Sequence, residues 1–528
     1  MAVAFLLSLV QTLILLASCL YFVYKVVVHR RYNLPPGPQG WPLIGLVLQC
    51  CEHTHLKFHK WSQTYGDVFS VKLGVQLVVV LNSYDAIRDA FLHTSTKVAD
   101  RPKQWIISRA TNQKGVATLW NDWKVTRKHM IKSVNEYVVK NEGMEKIVKA
   151  ECDVLEKYIT NSAGKPISLR HVIYNVVGNI LCTVVFSKRY NYCNDNFRTL
   201  LARVSEKAVT NTNLLTFLPL FWYIPSSKKR FFLSLESEVS SFIRDMIIER
   251  RQQLLDKEPE NIIDSFLIEP DTYGDDITNL VEAAKSMFIP GIHTTSGTLL
   301  WGILYLAMNP EIQEKCYSEI VGVVGIEQHL TFQNRGNLPY VEATILEIHR
   351  CANVIPLGVP RLVNTDTNIN GHIIPKGTTV IANIWANHMN EKKWSNPYKF
   401  NPDRFMGDGI ANKNHVIPFS IGLRACPGQD LAKMDIFLIT TRLIQKSQTF
   451  RPHYKKLVDI RSMYGGRPFL TLTATATNDI VNRILMHLHF KRTAMEVVAV
   501  VPDRSIAQCG AVYAALCNVV ILLCRGKD

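Results

Sequence analysis

The stretch of sequence that decides the fold runs Phe419, Ser420, Ile421, Gly422, Leu423, Arg424, Ala425, Cys426, Pro427, Gly428. Its fixed positions form the pattern F-x-x-G-x-R-x-C-x-G. Gly422 and Gly428 permit tight turns and a close approach of the backbone to a flat ligand. The apolar stretch after Gly428 reads as a helix, whose first N–H groups and dipole favour an anionic sulfur. The pattern therefore predicts a Cys426 thiolate presented at the start of a helix.

Each fixed position of this stretch has a chemical role if the Cys426 thiolate binds haem iron. A thiolate ligand pushes electron density onto the iron and favours cleavage of the O–O bond. Arg424 offers a forked donor that suits a haem propionate. Phe419 can cover one side of the sulfur and restrict water. The alternative is a free thiol in a turn, and the coincidence of five spaced positions argues against it.

A second group of residues predicts a buried ion cluster. Glu347 and Arg350 lie three positions apart in a helical-looking segment, so they share one helix face. Such a pair taken alone is usually a solvated surface pair. Arg404, in the sequence Pro402 to Phe405, could reach Glu347 and complete a buried cluster of three. Burying this cluster is costly unless it is fully hydrogen-bonded, so we expect it to fix geometry rather than add stability.

These elements, in this order, resemble the cytochrome P-450 family of haem-thiolate monooxygenases, and the likeness covers roughly residues 1–475. The sequence is similar to animal microsomal members that handle steroids, fatty acids or foreign compounds. The resemblance implies one large, mainly α-helical domain with small β-sheets behind an N-terminal transmembrane anchor. It implies haem b (iron protoporphyrin IX) as cofactor. It also implies an NADPH-cytochrome reductase, or a cytochrome b-type donor, as the source of electrons.

The same resemblance assigns haem contacts outside the cysteine stretch. Trp123 and Arg127 would hydrogen-bond the haem propionates, and Arg361 would lie near a propionate. Trp123 and Arg127 are four positions apart, so they share a helix face. Without the resemblance, a tryptophan packed in the core beside a snorkelling arginine is the simpler interpretation.

On the oxygen side, family members carry A/G-G-x-D/E-T-T/S, and this chain has Pro290, Gly291, Ile292, His293, Thr294, Thr295. Gly291 would leave room for dioxygen, and Thr294 would hydrogen-bond dioxygen and help to deliver protons. Pro290 lacks a backbone N–H and is expected to kink the helix. His293 replaces the usual acid and can carry protons near neutral pH. The alternative for His293 is a side chain held by a hydrogen bond in a helix groove.

The composition of the 528-residue chain narrows its partners. The formal net charge is +16, which suits an anionic phospholipid surface, a nucleic acid or an acidic protein. Zinc-ligand spacings and RNA-binding aromatic motifs do not stand out, so no nucleic-acid partner is expected. The 12 cysteines are scattered rather than arranged as a secreted disulfide framework, which fits a domain facing the reducing cytosol.

The two ends of the chain differ from its middle. Residues 1–32 predict a transmembrane anchor, because Ala2 to Tyr24 is apolar and uncharged and Lys25, Arg30 and Arg31 follow it. A cleaved signal peptide is the alternative, but it would need a basic start and a shorter apolar core. We therefore expect the endoplasmic reticulum membrane, with the catalytic domain (33–475) in the cytosol. Residues 476–528 form an atypical extension with no predicted role, either a second membrane segment or the product of an alternative reading frame.

Three surfaces or segments suggest partners. Lys124, Lys128 and Lys132 form a stripe on the Trp123 helix, which is either a solvated face or a docking site for an acidic reductase. Residues 214–225 mix aromatic and aliphatic side chains beside cations and suit a membrane interface or a buried loop. By the same resemblance, four mostly apolar stretches would line a lipophilic substrate site, namely Trp105 to Val116, Phe288 with Ile289, Ile355 to Val359, and Ser462 to Gly466.

The function predicted from the sequence is insertion of one oxygen atom from O2 into a lipophilic small molecule. Cys426 would bind the iron and Thr294, with His293, would manage protons. Two alternatives remain open: a reductase-independent haem-thiolate isomerase or dehydratase, and a catalytically impaired haem-binding membrane protein.

Overall fold

The computed structural model describes Thr12 and residues 32–50, 53–102, 123–139, 143–161, 169–207, 216–218, 222–254, 258–268 and 277–463. It also describes the short segments 470–471, 496–497, 521–522 and 524–525. Nearly all of the predicted anchor (1–32) and most of the predicted extension (476–528) lie outside these described residues.

Helices dominate the described chain, which confirms the prediction of a mainly α fold with small sheets. The helices of the first half are α1 (Thr54–Tyr65), α2 (Tyr84–Arg88), α3 (Trp123–Val134), α4 (Gly143–Asn161), α5 (Leu169–Phe186), α6 (Asp195–Lys207), α7 (Ser227–Gln253) and α8 (Ile262–Leu267). Those of the second half are α9 (Ile277–Met308), α10 (Pro310–Val324), α11 (Pro339–Ala352), α12 (Ile384–His388) and α13 (Gln429–Met463). The amphipathic pattern from Gln429 to Leu443 predicts the first part of the last helix, which extends further, to Met463.

The 32-residue helix α9 lies at the centre of the helical core. It packs against α5, α7, α11 and α13. Its sequence is apolar on most sides, as expected for a helix surrounded by protein. Within the described residues, α5 is the one helix long and apolar enough to cross a membrane, and 78% of that apolar stretch is buried inside the protein. Together α5 and α9 carry the residues of the predicted oxygen side and their neighbours.

The strands form a separate layer beside the helices. They are β1 (Val68–Leu73), β2 (Gln76–Leu81), β3 (Arg361–Leu362), β4 (Thr367–Ile369), β5 (His372–Ile374), β6 (Thr379–Ala382), β7 (Leu470–Thr471), β8 (Glu496–Val497), β9 (Ile521–Leu522) and β10 (Cys524–Arg525). The main sheet has the order β1-β2-β6-β3, in which β2 and β6 run parallel. The sequence pair Asn370-Gly371 predicts a two-residue hairpin turn, and the β4–β5 hairpin turns there, with φ angles of 51° and 85°.

The sheet and the helices meet at the segment that carries Cys426. Strand β3 brings Arg361 to this junction, and the start of α13 follows Cys426 directly. A second apolar cluster, which includes Phe91 and Ile417, lies beneath the sheet side of the junction. The fold therefore places the cysteine stretch between the main sheet and the start of α13.

Candidate active site

The cysteine stretch folds as a compact loop (the Cys loop, residues 419–428). A single 3₁₀ turn spans Gly422 to Arg424, and the Cys426 N–H donates to the Phe419 carbonyl at 2.8 Å. Gly422 has φ +78°, and a Cβ at this position would lie 1.8 Å from the Phe91 carbonyl oxygen. Only glycine fits there, because the left-handed conformation and the lack of space both exclude a side chain.

Gly428 lies in the turn that precedes α13, but its surroundings differ from those of Gly422. Its φ is not in the left-handed region, and no described protein atom lies within 4 Å of the place where its Cβ would stand. Its backbone N–H hydrogen-bonds the Cys426 sulfur instead. Gly428 therefore presents a donor to the sulfur at the start of α13.

The environment of Cys426 determines which form of the sulfur is stable. Burial raises the pKa of the Cys426 thiol, and the Gly428 N–H and the Arg127 charge only partly oppose this effect. The protein alone therefore holds a neutral thiol at neutral pH. Coordination of a metal cation would supply the missing stabilisation, because a coordinated thiol loses its proton.

Four arginines converge beside the Cys loop (the arginine cluster: Arg101, Arg127, Arg361 and Arg424). Arg127, from α3, donates to the Ala425 carbonyl. Arg361 donates to the Ile421 carbonyl at 2.6 Å, and Arg424 donates to the Ala99 carbonyl at 2.7 Å. Arg101 donates to the Pro360 carbonyl at 2.7 Å. Each guanidinium is therefore tied to the backbone, and none of these contacts neutralises its charge.

Aromatic rings support two members of the arginine cluster. The Arg424 guanidinium lies 3.4 Å from the Trp123 ring centroid, and the Arg361 guanidinium lies 3.5 Å from that of Phe91. Trp123 is buried at the start of α3. Stacking on a ring favours a cation and fixes the plane of its guanidinium. Trp123 thus orients Arg424, while its predicted contact with a propionate remains a prediction.

The electrostatics of the arginine cluster require an anion. Burial, followed by repulsion from Arg101, Arg424 and Arg127, lowers the pKa of Arg361 to about 8. The same two causes lower the pKa of Arg424 to about 9 and that of Arg101 to about 10. Among the described residues, the buried Arg361 Nη1 and Arg101 Nε find no hydrogen-bond acceptor. A ligand with two carboxylates would supply both the charge and the acceptors that are missing.

Glu347, Arg350 and Arg404 form the buried cluster that their spacing suggested. Glu347 accepts two bonds from Arg350, at 2.7 and 2.8 Å, and one from Arg404 at 3.1 Å. The Asn401 N–H also donates to Glu347, at 2.9 Å. Arg350 further donates to the carbonyls of His388 and Pro397, both at 2.7 Å. The cluster therefore joins α11 to the chain that leads to the Cys loop.

The predicted oxygen-side residues lie on α9, which remains helical through Pro290. The Thr294 hydroxyl donates to the Pro290 carbonyl one turn earlier, at 2.8 Å. A Cβ at Gly291 would lie 2.9 Å from Cδ1 of Leu181, on α5. Gly291 thus allows close packing of α9 on α5, a role that its sequence did not suggest. Its role toward dioxygen remains a prediction.

His293 is buried on α9 and faces α5. Its Nδ1 lies 2.8 Å from the Tyr174 hydroxyl. Burial, followed by repulsion from Arg170, lowers the pKa of His293 to about 4, so the imidazole is neutral at neutral pH. This hydrogen bond matches the alternative of a histidine held in a helix groove. It does not decide whether His293 also carries protons.

One known protein family matches most of this chain. A sequence model of the family described as Cytochrome P450 matches residues 35–477 of the chain. The chain belongs to the cytochrome P450 family. It is 31% identical over 469 residues to cytochrome P450 2J5 of Mus musculus, a match that covers 86% of this chain and 93% of that protein. It is 29% identical over 494 residues to cytochrome P450 2U1 of Homo sapiens, covering 86% of this chain and 90% of that protein. The chain is thus a cytochrome P450 monooxygenase, an oxidoreductase whose cofactor is haem b.

The residues of this P450 fit haem b. Cys426 supplies one sulfur beside a helix start, and the arginine cluster offers unneutralised charge and orphaned donors that match two propionates. The Phe419 ring contacts the edge of His349, with centroids 5.3 Å apart. Its predicted position over the sulfur remains a prediction.

Sequence reasoning missed three residues around this P450 site. Arg101 joins the arginine cluster but belongs to no recognised spacing. His388 is fully buried, donates from Nδ1 to Asn353 Oδ1 at 2.7 Å and accepts the Ile417 N–H at Nε2, at 3.0 Å. Burial, followed by repulsion from Arg350, lowers its pKa to about 3, so it stays neutral. Tyr174 could not be found from the sequence, since its partner His293 lies 119 positions away.

The predicted substrate residues of this P450 fall into different environments. Phe288 is fully buried and packs against Phe242 of α7, with ring centroids 5.8 Å apart. Val359 is exposed at the end of the segment that begins at Ile355. Trp105 to Val116 lies outside the described residues, as does most of the segment 462–466. The lining of a substrate cavity therefore stays a prediction.

Proposed function

We propose that this P450 inserts one oxygen atom from O2 into a lipophilic small molecule of the steroid, fatty acid or xenobiotic class, with NADPH-derived electrons from a reductase. The observation that carries the proposal is the convergence of four arginines on the loop of a single cysteine. This arrangement would suit a dianionic macrocycle whose metal takes a thiolate ligand. Other haem-thiolate reactions would need the same cradle, so the experiment must test electron use as well as ligation.

The proposal gives each residue of the site a role that its contacts support. Bound haem b supplies the activation of dioxygen. Cys426 holds the iron, with the Gly428 N–H and Arg127 favouring the thiolate. Arg361 and Arg424 hold the propionates. The rings of Phe91 and Trp123 fix the planes of the Arg361 and Arg424 guanidinium groups, respectively. The Glu347 cluster supports the Cys loop indirectly. Arg350 donates to the His388 carbonyl, and His388 in turn accepts the N–H of Ile417, which lies just before the loop.

The oxygen-side residues manage protons in this proposal. Thr294 keeps its hydroxyl on the Pro290 carbonyl and can exchange that bond for one to a water molecule or dioxygen. His293 is neutral at rest, accepts a proton at one ring nitrogen and releases another from the second ring nitrogen. Because imidazole replaces a carboxylate, we expect slower proton delivery and more peroxide. His293→Asp should lower the peroxide released per NADPH consumed.

The reductase would dock on α3. Lys124, Lys128 and Lys132 are all exposed, while Trp123 and Arg127 on the other side of the same helix face the Cys loop. An acidic partner on this stripe would approach the cofactor from the cysteine side. We also propose that residues 1–32 anchor the protein in the endoplasmic reticulum membrane. The exposed side chains of Tyr223 and Ile224 support a second lipid contact.

Reduced protein treated with carbon monoxide provides the first test. Wild type and Cys193→Ser, a change at an exposed cysteine, should show the red-shifted Soret band of a thiolate-ligated carbon monoxide complex, and Cys426→Ser should lose it. Wild type should then consume NADPH with a reductase when lipophilic compounds that shift the iron spin state are added. Survival of the band in Cys426→Ser would refute the ligand assignment. Turnover of a peroxide substrate without NADPH would favour the isomerase alternative.

A further inference from the structure

We propose that Tyr174 receives protons from a solvent-open cavity between α5 and α6 and passes them to His293. This inference rests on the proposed function, in which His293 delivers protons to the oxygen side. It adds the place where protons enter from solvent and a second residue that carries them, Tyr174 on α5. The three observations behind it are a cavity, a hydrogen bond and the chemistry of the tyrosine hydroxyl.

The cavity has a volume of about 190 Å³ and lies between the first turns of α5 and the body of α6. Its lining is largely polar and includes Arg170, His171, Tyr174, Asn175, Asp195 and Arg198. The side chains of Asp195 and Arg198 are 88% and 53% exposed, so their end of the cavity opens to solvent. A polar space of this size holds several water molecules.

Tyr174 separates this cavity from α9. Tyr174 is one of the residues that line the cavity and is only 3% exposed, and its hydroxyl lies 2.8 Å from Nδ1 of His293. A tyrosine hydroxyl can accept a hydrogen bond from water while it donates its own proton. Tyr174 therefore links a wet cavity to the buried imidazole within one hydrogen bond.

The proton balance is simple. His293 starts with its proton on Nε2 and accepts the Tyr174 O–H at Nδ1. A hydronium ion supplied by solvent gives a proton to the Tyr174 oxygen, the tyrosine proton moves to Nδ1, and the Nε2 proton leaves toward the oxygen side. The imidazole ends as its Nδ1–H tautomer and must return to Nε2–H through exchange with solvent before the next transfer. One proton enters and one leaves, and neither residue keeps a charge. Burial and Arg170 hold the pKa of His293 at about 4, which favours this transfer over a stored imidazolium.

The test uses Tyr174→Phe, which removes one oxygen atom and keeps the ring. The control is Tyr190→Phe, because the Tyr190 hydroxyl donates to Met246 Sδ at 3.2 Å and does not bond to His293. In the holoenzyme with reductase, Tyr174→Phe should raise the peroxide released per NADPH several-fold. The carbon monoxide spectrum and haem content should not change. Tyr190→Phe should leave the peroxide yield unchanged.

A second readout does not depend on turnover. Histidine labelled with ¹⁵N in the diamagnetic carbon monoxide complex reports the tautomer of His293, with the signal assigned by its loss in His293→Gln. Tyr174→Phe should shift this signal, since the partner of Nδ1 is gone. A shifted tautomer with unchanged peroxide would overturn the relay and leave Tyr174 as an orienting residue.

The variants also separate this inference from the proposed function. If His293→Gln raises peroxide and Tyr174→Phe does not, the proton entry is wrong and the role of His293 stands. If neither variant raises peroxide, both are wrong. If the wild type consumes no NADPH with any lipophilic compound although it binds haem, the proposed function itself fails.

Discussion

At the scale of single residues, the arginine cluster combines two opposite requirements. Arg361 is fully buried, near three other cations, with one guanidinium nitrogen that no described acceptor satisfies. Such an arrangement costs free energy in the protein without its anion. Binding of a dianion removes that cost and supplies the missing acceptor. Arg361 should therefore lower the unfolding free energy of the apoprotein and raise the affinity of the protein for haem.

Arg361→Met tests this opposition directly. The apoprotein should gain about 2 kcal/mol of unfolding free energy, since a buried uncompensated charge is replaced by an apolar side chain. Haem should leave the variant faster than the wild type, as measured by transfer of haem to an apoglobin acceptor. The control is Arg88→Met, at a half-exposed arginine paired with Asp85. A loss of apoprotein stability in Arg361→Met would contradict this account.

At the scale of elements, α3 presents two faces with different tasks. Its buried face carries Trp123 and lies beside Arg127, which bonds the Cys loop, and its exposed face carries Lys124, Lys128 and Lys132. A helix with its side chains is only about 10 Å across, so the charged face lies close to the face that contacts the Cys loop. A partner that binds this face is therefore near the site where electrons must enter.

Charge reversal on α3 tests this docking face. Changing Lys124, Lys128 and Lys132 to Glu should raise the reductase concentration needed for half-maximal turnover, because steering by complementary charge is lost. The effect should be larger at low salt, where screening is weaker. The matched control reverses three exposed lysines of α4, Lys146, Lys149 and Lys157. Equal responses of the two triple variants would indicate a general charge effect and not a docking site.

The elements also show which parts of the site the sequence could predict. Local spacing predicted the Glu347–Arg350 pair, the hairpin turn at Asn370 and the glycine at 422, because each depends on neighbours in the chain or on one backbone angle. Apart from the contact of Arg404 with Glu347, the contacts between distant elements described here were not predictable from local spacing. The packing of Gly291 on Leu181 and the bond between His388 and Ile417 depend on how separate elements meet. One sequence carries no local signal for such meetings.

At the scale of the whole molecule, one buried acid makes stability depend on pH. Asp435 of α13 is 1% exposed, and its Oδ1 has no hydrogen-bond donor among the described residues. Burial raises its pKa well above the ordinary value of 3.8. The folded protein then keeps a proton that the unfolded chain has released. Its unfolding free energy therefore falls as pH rises from about 4 to the folded-state pKa.

Asp435→Asn should remove this dependence. In denaturant titrations the variant should gain stability over the wild type, and the gain should be larger at pH 7.5 than at pH 5. Asp430→Asn, at a half-exposed acid on the first turn of the same helix, is the control and should change little at either pH. A gain that is the same at both pH values would show that Asp435 does not titrate in this range.

The contact between Gly422 and Phe91 has a consequence for biosynthesis. The Phe91 carbonyl leaves no space for even a methyl group at position 422, so the two segments fit only as a finished pair. One partner emerges early from the ribosome and the other near the end of translation. The site around the Cys loop therefore cannot form until the segment that carries Gly422 has been synthesised. We expect pigment uptake to be a late, post-translational event in the life of each molecule.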